Sequence, residues 1–400
     1  MTIRVYLDNN ATTRPHPAVI AAMRKYEEEL YLNASSAAGE LLGASRPLAD
    51  ARRSMALLLG GSDDDRIVIT SGATEANAWA FHATPAGGHI VTSQVEHTSI
   101  LAASAAARRR GHPVEMVGVD SAGLIRSEDL AAKLRPDTKL VSLQLANNET
   151  GIIQPLEALA RIVRATAPSA IIHTDATQAV GRVAIDLAAD LAEIDLLSFS
   201  AHKFNGPRGI GGLFIRDGIE IEALIPGEQE GGHRGGTSNV PAAAGLAEAA
   251  RIAHARLGLW PSVAARRDRL ESAILSACPG AGINAVHGPR LPNTSSFTIP
   301  GIDADDLVEC LALQGICIAT GSACTAGATA PSHVLTAMGL SPGSARSTLR
   351  VSLSGVTTDA ELEQLLDAMS QELGSLFAKT SLSKLDGLAS EPWKGQELTR

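Results

Sequence analysis

Between Ile67 and Phe199 short apolar runs recur, each followed by enough chain for a helix and each ending in polar residues. The runs Arg66-Ile67-Val68-Ile69-Thr70, Gly88-His89-Ile90-Val91-Thr92, Val114 to Val119, Leu140 to Leu145, Ala170 to Thr174 and Leu196 to Phe199 read as strands. They lack the alternation of a strand with one wet face, so both faces are expected to be covered. Helical spacing fills the gaps: from Thr74 through Ala80, Ile100 to Arg110, Ser127 to Leu134, and a helix begun by Pro155 in which Leu156, Leu159 and Val163 share a face. Strand and helix in regular alternation predict an α/β fold with a mostly parallel central sheet flanked by helices. In such a sheet the carboxyl ends of the strands share one edge, where ligands bind.

Around this block the pattern changes. A polar, turn-forming opening from Tyr6 to Thr13 leads past Pro15 and Pro17 into a helix from Val19 to Glu29, and Pro47 to Leu59 is helical again. After the block, Gly227 to Asn239 is a mobile stretch by composition, and a helix from Pro241 to Arg256 follows it. From about Leu257 a helix (Val263 to Cys278), a strand (Ser295 to Ile299), a helix (Ala304 to Gln314) and a strand (Ile316 to Ala319) predict a smaller α+β unit. Thr358, with Glu361 in capping-box register, starts a last helix whose apolar face is Leu362, Leu365, Leu366, Met369 and Leu373. Beyond Thr380 the polar composition predicts a frayed tail.

A chain of 400 residues holds roughly two to three structural units. With 3% aromatic residues and a net charge of −9, it has neither stacking rings nor a basic face for nucleic acid. No run is apolar for long enough to span a bilayer, and the start lacks the build of a signal peptide, so a cytoplasmic protein without membrane contact is expected. The four cysteines contain no Cys-x-x-Cys pair and build no disulfide framework, and their spacing suits no ordinary zinc site.

Chemistry enters at Ser200-Ala201-His202-Lys203, where a strand ends before the turn at Gly206-Pro207-Arg208-Gly209. Lys203 is either a solvated turn residue or an amine desolvated among apolar strands, whose neutral form condenses with an aldehyde. Ser200 and His202 offer donors for a phosphate, and the glycines let backbone approach a ligand, so the hypothesis is a Schiff-base lysine for pyridoxal phosphate. The strand-to-helix turn Ser71-Gly72-Ala73-Thr74-Glu75 has the build of an anion site at a helix start. His97, Asn148, Asp175 and Gln178 stand near other strand ends. Each is ordinary alone; on one edge they form one site. Cys310 and Cys317 read as packing residues and Cys278 carries no reading. Cys324 lies in a run from Thr320 to Pro331 without bulky apolar residues, so its thiol is an accessible nucleophile candidate.

These residues fall in motifs that resemble, in order, those of the cysteine desulfurases of the nitrogen-fixation and iron–sulfur assembly type, within the class V aminotransferases. The motifs are Tyr6-Leu-Asp-Asn-Asn-Ala-Thr-Thr13, Thr70-Ser-Gly-Ala-Thr-Glu75, Glu96-His97, Asn147-Asn-Glu-Thr-Gly151, His173-Thr-Asp-Ala-Thr-Gln178, Ser198-Phe-Ser-Ala-His-Lys203, Arg234-Gly-Gly-Thr237, Gly321-Ser-Ala-Cys-Thr325 and Leu349-Arg-Val-Ser-Leu353. The resemblance runs from Tyr6 to about Met369. It implies the PLP-dependent transferase fold type I, with a large cofactor-binding domain (15–257), a small domain (1–14 and 258–380) carrying the cysteine loop, and a flexible tail (381–400).

The resemblance also implies roles. Lys203 bonds pyridoxal 5'-phosphate, His97 stacks on its ring and manages protons, Asp175 pairs with the ring nitrogen and Gln178 with the ring oxygen. Ala73, Thr74, Ser200 and His202 hold the phosphate, joined by Thr237 from the other subunit of a homodimer. Asn148 touches the cofactor and, with Arg350, the substrate carboxylate. Cys324 carries a persulfide as L-cysteine becomes L-alanine, then passes sulfur to an acceptor scaffold protein for iron–sulfur cluster assembly. No metal is bound at rest, and Cys324 is a transient cluster ligand. Relatives commonly carry Asn-Pro-Ser-Ser where this chain has Asn33-Ala34-Ser35-Ser36, and a Leu-Glu pair where it has Thr329-Ala330, differences that bear on the acceptor. The alternatives are a selenocysteine lyase or aminotransferase on the same fold, and a catalytically silent cofactor-binding platform. A simple sulfur carrier fails on size and on the presence of Lys203 with Asp175.

Overall fold

The computed structural model describes residues 3–62, 64–321 and 330–389. A short strand, β1 (Val5–Tyr6), precedes the helices α1 (Pro17–Glu28), α2 (Ala37–Leu41) and α3 (Arg46–Leu59). Strands and helices then alternate: β2 (Arg66–Thr70), α4 (Ala73–His82), β3 (His89–Ser93), α5 (Thr98–Arg109), β4 (Val114–Val117), α6 (Ser127–Lys133), β5 (Thr138–Ser142), α7 (Leu156–Thr166), β6 (Ile171–Asp175), β7 (Leu196–Ser200) and β8 (Gly211–Ile215). Helices α8 (Val240–Ala255) and α9 (Trp260–Ala277) lead to β9 (Gly282–Ile283), β10 (Thr294–Thr298), α10 (Ala304–Leu313), β11 (Ile316–Cys317) and β12 (Ala319–Thr320). The described chain closes with α11 (His333–Ala337), α12 (Pro342–Arg346), β13 (Thr348–Ser352) and α13 (Asp359–Ala389).

Strands β2 to β8 build a seven-stranded sheet in the order β2-β8-β7-β6-β5-β3-β4. It is parallel from β7 to β4, and β8 alone runs against its two neighbours. Ile67, Val91, Val141, Ile172, Leu197 and Phe214 join the main core on one face. Their chain neighbours Val68, Ile90, Leu140, Leu196 and Leu213 point the other way, toward Trp79 of α4 or Ile100 of α5. This is the two-residue period of a strand with both faces covered, which is why the runs read as continuously apolar. Each large side chain so buried contributes roughly 1.5–3 kcal/mol, and a slip by one residue would swap the faces. Register is thereby fixed, and with it the residues that stand at the strand ends.

A second core collects Val5 and Leu7 with Val263, Leu270, Phe297, Leu307, Leu349, Leu365 and Met369. It packs on a four-stranded antiparallel sheet, β12-β13-β10-β9, and on the parallel pair β1-β11. Arg290 and Glu271 meet there in a two-pronged ion pair of 2.7 and 3.0 Å, both side chains almost wholly buried. Thr358 and Glu361 form the expected capping box: the Thr358 N–H donates to Glu361 Oε2 at 2.7 Å and the Glu361 N–H to Thr358 Oγ1 at 3.2 Å. No helix among the described residues is long and apolar enough to cross a membrane.

Three expectations need correction. The strand expected from Ile316 to Ala319 is two: Ile316–Cys317 pairs with β1 and Ala319–Thr320 with β13, because the two halves serve different sheets. The stretch from Gly227 to Asn239, mobile by composition, is tied down. Glu230 accepts from the Ile69 N–H at 3.0 Å and pairs with Arg52 at 2.8 Å, while Arg234 forks onto Glu75 at 2.9 and 3.2 Å. Helix α13 continues past Thr380 to Ala389, since Ser381 to Ala389 contains no proline to stop it.

Candidate active site

The carboxyl ends of the parallel strands, the start of α4 and the turn Ala201–Lys203 surround a cavity of about 450 Å³. Ala73, Thr74, His97, Asn148, Asp175, Gln178, Ser200, His202 and Lys203 all line it, so the proposed edge exists as one site. Thr237 does not: it is exposed and outside the lining. Cys324 lies outside the described residues.

Lys203 leaves β7 through a single 3-10 turn, and its Nζ donates to the carbonyls of Asn10 at 2.6 Å and Ala11 at 2.8 Å. Asp175, the last residue of β6, accepts from Asn77 Nδ2 at 2.7 Å and from the Thr177 N–H at 2.9 Å. The same Asn77 amide donates to Ser99 Oγ at 3.0 Å, and Ser99 Oγ lies 2.8 Å from His97 Nδ1. One chain of contacts thus runs from carboxylate to imidazole. His97 caps α5: its Nδ1 accepts from the Ser99 N–H at 3.2 Å, so the neutral ring carries its proton on Nε2. Burial lowers the His97 pKa; Asp175 opposes the shift and Lys203 adds to it, which keeps the ring neutral at neutral pH.

At the other wall, α4 begins on Gly72 without a side-chain cap, leaving first-turn amides at the cavity. Gly72 has φ of 154°, which favours glycine, and a Cβ on the facing Gly211 would collide with the Phe199 carbonyl oxygen and lie 2.8 Å from the Gly72 Cα, so Gly211 must be glycine for β8 to pass this close. Ser200, whose Oγ lies close to Gly72, and His202 line the same cavity. His202 Nδ1 lies 3.1 Å from Thr12 Oγ1, and burial with the nearby charges of Lys203, Arg208 and Arg182 pushes its pKa down to about 4.

Arg350 is nearly sealed from solvent behind Asn148 and is not part of the lining. Its Nη2 donates to Asp8 at 2.7 Å and its Nη1 to the Asn148 carbonyl at 3.1 Å; its buried Nε has no hydrogen-bond partner among the described residues. The cysteines expected to pack, Cys310 and Cys317, are half-buried, and burial, reinforced by Asp8, raises the Cys317 thiol.

Several contributors escape a sequence reading. Arg208 lines the cavity, and its turn context, Gly-Pro-Arg-Gly, was the available signal. Asn77 and Ser99 read as helix residues, and nothing in their spacing announces a link between Asp175 and His97. Two buried acids stand close by. Burial lifts the Glu96 carboxyl to about 8 and that of Glu149 to about 7, the latter accepting from Ser332 Oγ at 2.5 Å.

The donor set fits pyridoxal phosphate. An amine, a carboxylate at the far wall, and an uncapped helix start joined by a hydroxyl and an imidazole match its aldehyde, its ring nitrogen and its phosphate. Comparison with known proteins points the same way. The profile of the family described as Aminotransferase class-V matches residues 5–365. The chain is 43% identical over 372 residues to the cysteine desulfurase of Cereibacter sphaeroides, covering 92% of this chain and 95% of that one. It is similar to a solved structure named NifS-like protein, with TM-score 0.86 and 36% identity, covering 94% of this chain and 100% of the other. It is also similar to SspA in complex with cysteine, with TM-score 0.76 and 32% identity, covering 88% and 100%.

Proposed function

The chain belongs to the class-V aminotransferase family, among its cysteine desulfurases of PLP fold type I, and from that premise we propose how its residues divide the work. It is a pyridoxal-phosphate-dependent enzyme that takes sulfur from L-cysteine and leaves L-alanine. The observation that carries the assignment is that Lys203, Asp175 and His97, from three distant strand ends, line one cavity.

Bound in that cavity, pyridoxal phosphate supplies an electron-accepting ring that acidifies the substrate's Cα and weakens its Cβ–S bond. Lys203 would hold the aldehyde, and its free amine would move the proton at the substrate's Cα. Asp175, its two oxygens fixed by Asn77 and Thr177, keeps a proton on the ring nitrogen. His97, a neutral imidazole on the cavity wall, would pack on the ring and manage protons on the substrate. Gln178 meets the ring oxygen, and Ala73, Thr74, Ser200 and His202 hold the phosphate. Asn148 on the cavity wall and Arg350 behind it, whose Nη2 must leave Asp8 to do so, receive the substrate carboxylate.

Cys324 is the sulfur acceptor in this reading. The substrate's C–S bond breaks, an S–S bond to Cys324 forms, and alanine and a persulfide result without an outside oxidant. A thiolate on a scaffold protein then takes the outer sulfur for iron–sulfur cluster assembly, with Cys324 a transient cluster ligand. A thiol that cycles in this way suits the reducing cytoplasm. Thr237 is exposed and outside the lining of its own cavity, and in this reading it joins the phosphate site of a second copy in a homodimer. We read the two cores as two units, 15–257 and 1–14 with 258–380.

The test is alanine release from L-cysteine by the cofactor-loaded protein. Stoichiometric alanine and sulfide with a reductant present are expected, and loss of both in Cys324→Ser. Unchanged turnover in that variant removes Cys324 from the scheme. Retained cofactor colour with no alanine from the parent protein favours the silent platform instead.

A further inference from the structure

Arg182, in the turn after β6, is only 3% exposed, yet it pairs with no carboxylate among the described residues. Every partner is neutral. Nη1 donates to Gln178 Oε1, to the Gln178 carbonyl at 3.2 Å and to Asn10 Oδ1 at 3.1 Å. Nη2 donates to the Asn9 carbonyl at 2.9 Å and the Lys203 carbonyl at 3.2 Å. Burying an uncompensated charge is costly, and burial, with the like charge of Arg350, brings the guanidinium pKa down to about 9. What holds the cation under those conditions is the set of neutral oxygens around its two terminal nitrogens.

Two of its partners, Gln178 and Lys203, line the cavity. Gln178 gives Oε1 to Arg182, so its amide presents Nε2 elsewhere: one N–H goes to the Asn10 carbonyl at 3.0 Å and the other is left for the cavity. The same Asn10 carbonyl accepts from Lys203 Nζ at 2.6 Å. Without Arg182 the Gln178 amide could turn over and offer an oxygen where a donor is needed.

We propose that Arg182 is a positioning residue of the cofactor site, fixing the Gln178 amide as a donor and biasing the group on Lys203 toward its unprotonated form by its buried charge. This rests on the reading of Gln178 as the partner of the cofactor's ring oxygen. The charged groups around it are Lys203 and His202 on the turn, Arg350 with its partner Asp8, and Arg256 and Glu361 across the crevice that opens on its outer side. The two acids among them are engaged elsewhere, Asp8 by Arg350 and Glu361 by Thr358, and neither pairs with Arg182.

The test is a pH titration of the visible absorption of the cofactor-loaded, full-length protein. Arg182→Met should raise the midpoint by about one pH unit or more, and Arg182→Lys, which keeps the charge, by less than half as much. Should Arg182→Met fail to hold the cofactor, Arg182→Gln retains donors without the charge and is expected to show the same rise. Cofactor-loaded Met or Gln variants with the parent midpoint overturn the proposal, as do Met and Lys variants that move equally. A parent protein that binds no pyridoxal phosphate overturns the functional reading, and this inference with it.

Discussion

Glu96 offers the sharpest quantitative test of how the site is buried. It lies beside His97 with no solvent exposure; Oε1 accepts from Ser93 Oγ at 2.7 Å and the Gln144 N–H at 2.9 Å, while Oε2 has no partner among the described residues. Burial pushes its carboxyl up to about 8, the two hydrogen bonds opposing the shift and the charge of Asp175 adding to it. The folded pKa therefore lies above the unfolded one, so the native state holds a proton that the unfolded chain releases. That contribution to stability is complete below the ordinary carboxyl value of 4.5 and is lost as pH rises toward 8. One proton over two pH units is worth about 3 kcal/mol, so from about pH 5.5 to about pH 7.5 the parent should lose about 3 kcal/mol that Glu96→Gln does not. Glutamine keeps the Oε1 acceptor, and other titrating groups are common to both proteins and cancel. The assay is urea unfolding of both proteins, saturated with cofactor, at the two pH values. The difference between them should swing toward the variant by about that amount. A difference that stays constant with pH would refute a protonated Glu96 in the fold.

The remaining expectations concern the site and the second core. Borohydride reduction followed by peptide mass spectrometry should find the cofactor on the Lys203 peptide of the parent alone, and Lys203→Ala should lower alanine formation by about a thousandfold. Asp175→Asn keeps an acceptor for the Thr177 N–H but loses the charge, so it should retain cofactor colour while turnover falls by about a hundredfold or more. Arg290→Ala leaves Glu271 charged and buried, and should cost about 3–5 kcal/mol in chemical unfolding; the double variant Arg290→Met, Glu271→Leu should recover most of that.

The large sheet was readable because its strands are buried on both faces: Val68 and Ile67 go to different cores, yet both must be apolar. The site edge followed from topology, since Thr74, His97, Asp175 and Lys203 were each read next to a strand end and a parallel sheet gathers those ends. What stayed hidden was whatever depends on a distant partner. Ile316 to Ala319 is a uniform apolar run, and only the presence of β1 and β13 on its two sides divides it. Gly227 to Asn239 is rich in glycine, and its order comes from Arg52, Ile69 and Glu75, far away in the chain. Arg350 was paired with Asn148 by resemblance alone, and its placement behind the lining, held by Asp8, could not be read from either motif.

The charge of the whole chain also misleads about the site. A net charge of −9 suggests a protein that repels anions, yet the cavity must admit a phosphate and a carboxylate. The balance is reversed locally by burial. Lys203 and Arg208 line the cavity, and Arg182 and Arg350 stand directly behind it, while among the nearby acids Glu96 and Glu149 have carboxyls raised to about 8 and about 7. Near neutral pH Glu96 is mostly protonated and Glu149 partly so, which leaves Asp175 and Asp8 as the main anions, each already bound to donors. Three guanidiniums, those of Arg208, Arg182 and Arg350, thus face two fixed carboxylates in a low-dielectric recess, and such a recess focuses a positive field on whatever enters. The acidic surface and the anion-binding cavity are compatible because desolvation, which costs a carboxylate its charge, leaves an arginine its own.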